Sequence, residues 1–246
     1  MYFVNWQRDI SIQEIDGRMV VLKRNKATKK FHEYLLATTY CLVSLLCIHP
    51  SAPPPAGKLA SYNEGKSMRT NLKNLGVPTP VLFSLTEDTI IEEFIEGGNL
   101  YTAFTDKLKN KNILRSLAFQ AGCITGRLHN GGYVFTDNKS QNYLVKFDNT
   151  IVRTDLAFVH KTNSTFAQSM DIASFLASVI DLKIANYKLI EQRFRDGYVS
   201  EANCDFPYLW ILLRNIISLG FAADQSTMLQ NIAKGSTSFK KQLNID

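Results

Sequence analysis

The stretch LHNGGYVFTDNKSQNYLV, Leu128 to Val145, decides how the rest of the chain is read. Inside it, Asp137 stands five residues before Asn142. With 13 Asp and 18 Asn among 246 residues, about one such pair is expected by chance, so the spacing alone proves nothing. Asp181 and Asn186 repeat it inside a helical pattern and read as decoration. Asp137 differs in its surroundings. A long amphipathic helix, marked by Ile113, Leu114, Leu117, Ala121, Ile124 and Leu128, ends in GRLHNGG just before it, and the strand YLVKF follows. Asp148-Asn149 then turns the chain into a second strand, TIVRT, which delivers Asp155. Helix, polar loop and hairpin thus set two carboxylates and an amide side by side. Such a set suits a reaction in which one Asp accepts a proton from a hydroxyl while Asn and the second Asp hold a divalent cation on phosphates.

The rest of the chain reads as strands first and helices later. Ile10 to Ile15 and Arg18 to Arg24 alternate around Asp16-Gly17, the dipeptide that a tight hairpin turn prefers. Lys29 to Ile48 reads as a helix before the loop SAPPPAG, and Asn63 to Leu75 as another, with Met68, Leu72 and Leu75 on one face and Gly76 as its cap. VLFSL and TIIEEFI read as strands, and further helical stretches fall near 169–190 and 207–219. The expected division is a sheet-rich lobe over 1–95 and a helical lobe over 96–246.

Composition sets limits on this picture. Apolar residues make up 45% of the chain and charged residues 20%, as in soluble folded proteins. The net charge of +6 suits an anionic partner. Cys41, Cys47, Cys123 and Cys204 form no CxxC pair, which argues against structural zinc or a disulfide framework. MYFVNWQRDI does not read as a signal peptide, and the greasiest run, Tyr34 to Ile48, is shorter than the ~20 residues that span a bilayer. A cytoplasmic protein without a membrane span is expected.

These residues resemble the protein-kinase superfamily in the right order. LHNGGYVFTDNKSQNYLV resembles its catalytic loop, TDLAF its metal-binding segment, IEEFIEGGNL the strand and hinge between lobes, VVLKR the lysine strand, and Ser169-Met170-Asp171 the start of a later helix. GKSMRTNLKNLGVPTPVLF is similar to a passage of small atypical members, the RIO kinases and the kinase of the KEOPS tRNA-modification complex. The lipopolysaccharide sugar kinases are more distant look-alikes.

The resemblance implies an α+β, bilobal fold and an ATP- and Mg2+-dependent phosphotransferase, most simply an autophosphorylating Ser/Thr protein kinase or a kinase-like ATPase. The alternatives are a sugar or small-molecule kinase and a pseudokinase binding module. Asp137 is then the base, Asn142 and Asp155 the magnesium ligands, and Lys23 the phosphate-binding cation. Glu64 is preferred over Glu33 as the acid that pairs with Lys23, the backbone of Glu93 and Ile95 is to hold adenine, and Asp171 is to brace the loop. His129 reads as a helix-end histidine bonded to carbonyls, and Phe119, Tyr208 and Trp210 as core.

The chain also departs from the pattern. No glycine-rich loop precedes Lys23, Phe135 and Thr136 replace the usual His and Arg before the catalytic Asp, and Glu92 stands where an apolar residue is usual. A buried carboxylate there needs a donor. The run KRNKATKK, Lys23 to Lys30, reads as a solvated face beyond its first lysine. A protein substrate or partner complex is expected. RNA contact is the less favoured reading, and the tail FKKQLNID lowers the case for tRNA.

Overall fold

The structure is a computed structural model and describes residues 8–106, 108–202 and 206–221. Cys204, the tail FKKQLNID and most of the opening ten residues lie outside the described residues. Strands β1 (Arg8–Ile15) and β2 (Arg18–Asn25) form the expected hairpin. Asp16 and Gly17 carry φ of 51° and 70°, the two left-handed positions of the turn that matches strand twist. Helices α1 (Lys29–Leu46), α2 (Lys58–Asn63) and α3 (Lys66–Asn74) precede β3 (Leu82–Leu85) and β4 (Thr89–Glu93). The sheet order is β1-β2-β4-β3, antiparallel throughout, which sets Lys23 between Ile10 and Ile90.

Beyond the sheet come α4 (Leu100–Thr105), α5 (Lys111–Asn130), β5 (Tyr133–Val134), a 3-10 turn over Ser140–Asn142, β6 (Tyr143–Val145), β7 (Ile151–Arg153) and β8 (His160–Lys161). Helices α6 (Thr165–Ala177), α7 (Ile184–Glu201) and α8 (Trp210–Phe221) follow. This is the α+β, bilobal arrangement of the kinase-like fold, a β-rich front and a helical back. The main apolar core lies in the helical part, where Leu117, Ile124, Phe175, Phe194 and Tyr198 are buried together.

Several elements differ from the sequence reading. The helix expected over Asn63 to Leu75 is two helices, because Gly65 adopts an extended backbone (φ −80°, ψ 177°) between Glu64 and Lys66. Gly76 ends the second, as expected. At φ 71° it donates to the Lys73 carbonyl while Val77 donates to that of Leu72, and both Leu72 and Val77 are buried. The stretch near 169–190 is likewise broken between α6 and α7. Tyr208, expected in the core, is exposed and bonds His49 Nε2 through its hydroxyl at 2.9 Å. Trp210 is buried, and Phe119 is half-buried under the Arg193 guanidinium at 5.0 Å. Asp181 sits outside any helix and accepts a hydrogen bond from the Tyr101 hydroxyl at 2.6 Å, tying α4 to the α6–α7 turn.

Helix α1 is apolar on two sides. Tyr40, Val43 and Cys47 pack with Phe166 of α6 and Leu213 of α8, while Phe31, Leu35, Leu42, Leu45 and Leu46 are exposed. Among the described residues no helix is long and apolar enough to cross a membrane.

Helix α5, which leads into the Asp137 loop, is held against α7 by reciprocal glycines. A Cβ on Gly122 would stand 2.0 Å from the Phe194 carbonyl oxygen, and one on Gly197 2.0 Å from that of Phe119. Backbone cannot swing aside as a side chain can, so the helices must move apart to admit a methyl group. Gly197→Ala is therefore expected to destabilise the fold by about 2–3 kcal/mol. That corresponds to a drop of roughly 5–10 °C in the circular-dichroism melting temperature. An unchanged Tm would show that the two backbones are not locked together.

Candidate active site

The Asp137 loop is fixed from behind. Asp171 of α6 is buried and accepts from the Phe135 and Thr136 amides, both at 2.6 Å. This is the bracing role expected of it. His129 is buried too. Its Nε2 faces Asp171 at 3.1 Å and its Nδ1 the Tyr198 hydroxyl at 2.9 Å, so it bonds side chains and not the carbonyls expected for a helix-end histidine. Thr136, at φ 65°, turns the chain so that Asp137 leaves this brace.

In front of the brace, Asp137 and Asn142 face each other. The Asn142 amide nitrogen donates to the Asp137 carbonyl at 2.9 Å and to its carboxylate at 3.3 Å. The other carboxylate oxygen of Asp137 meets Lys139 Nζ at 2.8 Å. The β6–β7 register pairs Tyr143 with Arg153, and the Thr154 amide donates to the Asn142 carbonyl at 2.9 Å. Asn142 is thereby held one residue from Asp155. Asp155 takes a left-handed backbone, φ 58°, and its carboxylate lies 3.3 Å from the Arg8 guanidinium. Burial pushes this carboxyl up, but Arg8, Lys23, Arg153 and Lys139 outweigh it and hold it below the usual carboxylate range. Asp137, Asn142 and Asp155 thus converge.

Lys23 reaches the same place from the sheet. Its Nζ donates to the Thr154 hydroxyl at 2.7 Å and pairs with Glu92 at 2.5 Å. The acid expected for it, Glu64, is elsewhere. Glu64 pairs with Arg8 at 3.0 Å and accepts from the Leu156 amide at 3.1 Å. Glu33, the alternative, accepts from the Gly57 amide at 2.7 Å and lies 3.7 Å from Lys29. Register explains the exchange. Glu92 stands across from Val21 on β2, two residues from Lys23 and on the same face of the sheet. It finds the donors that its burial demands, since Arg69 adds a contact at 2.7 Å and Thr154 one at 2.9 Å. Burial pushes its carboxyl up, yet Lys23 and Arg69 prevail and set it at about 2.

The roof over these groups is apolar. Ile10 and Ile12 lie opposite Lys23 and Val21 and so share the lysine's face. At the hinge, the Glu93 amide already donates to the Val81 carbonyl at 2.8 Å, which leaves only its carbonyl for an adenine; Ile95 is buried. Beyond Lys23, the exposed Arg24, Ala27, Thr28 and Lys30 form the solvated face expected of the run, with Asn25 and Lys26 half-buried, and Lys29 departs from it. Lys29 is buried against Glu33 and Ser61, and burial, then Arg8, lowers its ammonium below the ordinary range. Lys26, Lys30 and Lys58 line a cavity of 870 Å³ at the far end of the sheet, away from Asp137.

The oxygen donors fit a hard divalent cation. Asn142 spends its nitrogen on Asp137 and keeps its oxygen for a ligand, and Asp155, already facing one cation, is held ionised. Sequence reasoning missed Arg8, Arg69, Lys139 and Arg153. Lys139 and Arg153 could have been noticed, because each lies in a stretch already singled out. Arg8 carries no such signal, since only the hairpin register brings it to the cleft.

Fold and site together define a kinase-like cleft, and comparison with known proteins points the same way. The chain is 27% identical over 129 residues to a probable bifunctional tRNA threonylcarbamoyladenosine biosynthesis protein of Methanoculleus marisnigri, covering 52% of this chain and 22% of that one. A protein of the same name from Methanosarcina mazei is 25% identical over 133 residues, 54% of this chain and 22% of its own. A probable serine/threonine-protein kinase BUD32 homolog of Archaeoglobus fulgidus is 25% identical over 133 residues, covering 54% of this chain and 63% of that protein. No protein-family model matches the chain. These relatives bear out the resemblance to small, atypical members of the protein-kinase-like superfamily. The match spans about half of this chain and less than two thirds of each relative.

Glu92→Gln is expected to lose about 3–5 kcal/mol at neutral pH, because it strands two buried cations. The folded carboxyl lies below its ordinary 4.5, so its stabilisation is present above pH 4.5 and is lost as pH falls toward about 2. Denaturant titrations of both proteins should show the gap between them closing over that window. A gap independent of pH would exclude the ion pair as its source.

Proposed function

We propose that the chain is an ATP- and Mg2+-dependent phosphotransferase, acting as an atypical Ser/Thr kinase that labels itself or a protein partner, or as an ATPase that drives one. What carries the reading is the convergence of Asp137, Asn142 and Asp155, with Lys23 anchored on the residue before Asp155. Asn142 and Asp155 would hold the metal, which neutralises charge on the phosphates. Asp137, fixed by Asn142 and Lys139, would orient an acceptor hydroxyl and take its proton, while Lys23 would face the phosphates. Ile10 and Ile12 would cover the base, with the Glu93 carbonyl and Ile95 at its edge. The division at 95–96 would separate the part that grips nucleotide from the part that does the chemistry.

The relatives' names favour one setting for this activity. Proteins named for tRNA threonylcarbamoyladenosine biosynthesis bring tRNA back as a partner, against the tail-based reading that disfavoured it. We place the chain in or beside a tRNA-modifying complex, with its phosphotransfer or ATP hydrolysis serving that complex.

The test is transfer of the γ-phosphate from Mg-ATP, following label on protein and released phosphate. Wild type is expected to show one or both. Asp155→Asn is expected to lose about 10²-fold or more of the turnover with the fold retained, as an electrostatic contact to the reacting phosphates is removed. Asp181→Asn should leave turnover unchanged. Equal turnover in Asp155→Asn would end the metal assignment, and a large loss in folded Asp181→Asn would move the site.

A further inference from the structure

Arg153 is among the largest side chains withdrawn completely from water, yet its hydrogen bonds go to main-chain carbonyls and not to carboxylates. One guanidinium nitrogen donates to the Asp137 carbonyl at 2.8 Å. The other donates to the Asn142 carbonyl at 2.9 Å and to that of Thr154. Its plane lies over the Phe135 ring at 4.5 Å and the Tyr143 ring at 5.3 Å. Among the described residues Nε has no hydrogen-bond partner, so the site bears a desolvated donor as well as a desolvated charge. An apolar side chain would fill this volume at lower cost. What it could not do is join these three carbonyls.

The identity of those carbonyls is what matters. They belong to the residue that would act as base, to one that would hold metal, and to the neighbour of the other metal residue. The Thr154 hydroxyl also holds Lys23. Phe135 and Thr136, just before Asp137, bring no cation to the loop; Arg153 brings one from β7 and stacks on Phe135 itself. We propose that Arg153 is the positioning residue of the site: its fork sets the distance between Asp137, Asn142 and Asp155 by clamping the backbone under each. The proposal rests on the phosphotransfer reading for what the distance is used for, but not for the clamp.

The test compares wild type with Arg153→Lys and Arg153→Met in the full chain. Lys keeps the charge but is a point donor that cannot span three carbonyls, and it covers the case in which the Met variant fails to fold. Amide hydrogen exchange, read peptide by peptide, should rise in 135–145 and 153–157 and stay unchanged in α7. In Mg-ATP turnover, kcat should fall about 10²-fold, as for a small misplacement of reacting groups, with KM for ATP within about twofold. Exchange that rises throughout the chain, a Lys variant with wild-type kcat, or failure of both variants to fold would overturn the proposal in favour of a structural cation. If wild type turns over no ATP, the functional reading falls, and local against global exchange still decides the clamp.

Discussion

Six charged side chains, Lys23, Glu92, Arg69, Glu64, Arg8 and Asp155, stand in contact where the sheet meets the helical half, and the rest of the molecule is arranged around them. Three are cations and three are anions, and they come from β2, β4, α3, the α2–α3 junction, β1 and the segment after β7. Its buried members carry a desolvation cost that only their neighbours offset, so the cluster is costly to cut at Glu92, whereas Asp155 sits at its rim and Arg8 keeps Glu64 when Asp155 loses its charge. The break at Gly65 and the register of β2 against β4 set two of the anions in this cluster. Asp155 is the link that makes the cluster more than scaffolding, because the same charges that stabilise the junction keep its carboxylate ionised.

Much of this was legible in the sequence, for local reasons. Asp16-Gly17 encodes its own turn, the 3.6-residue period of α5 survives in any context, and the hairpin of β6 and β7 is marked by its own Asp148-Asn149 turn. The structure sets Asp137 against Asn142, whereas Asp181, read inside a helical pattern, lies outside any helix and bonds Tyr101. The partner of Lys23 was not legible. Only Glu64 and Glu33 were weighed for it, and sequence distance says nothing about which acid crosses a sheet to meet a lysine. Glu92 was suspect for the right physical reason, a carboxylate in an apolar place, but the donor it needed is the residue that had been assigned to Glu64.

The helix break at Glu64 escaped notice for a different reason. The apolar positions Met68, Leu72 and Leu75 all follow Gly65, so they mark the second helix and carry no information about where the first one ends. Tyr208 was taken for core because aromatic residues usually are, while its hydroxyl is satisfied by His49 at the surface. Composition-level rules fail at such positions because a polar tip gives an aromatic ring a second stable place to be.

Under the proposed nucleotide reading, the Glu92 pair also changes what small molecules the cleft would accept. In a cleft closed at the back by an apolar residue, a ligand built on adenine can gain affinity by pushing a greasy group past the hinge. Here that route ends at a carboxylate gripped by Lys23, Arg69 and Thr154, all withdrawn from water. An apolar substituent would have to break a desolvated ion pair to enter, so on that reading inhibitors would have to stay shallow.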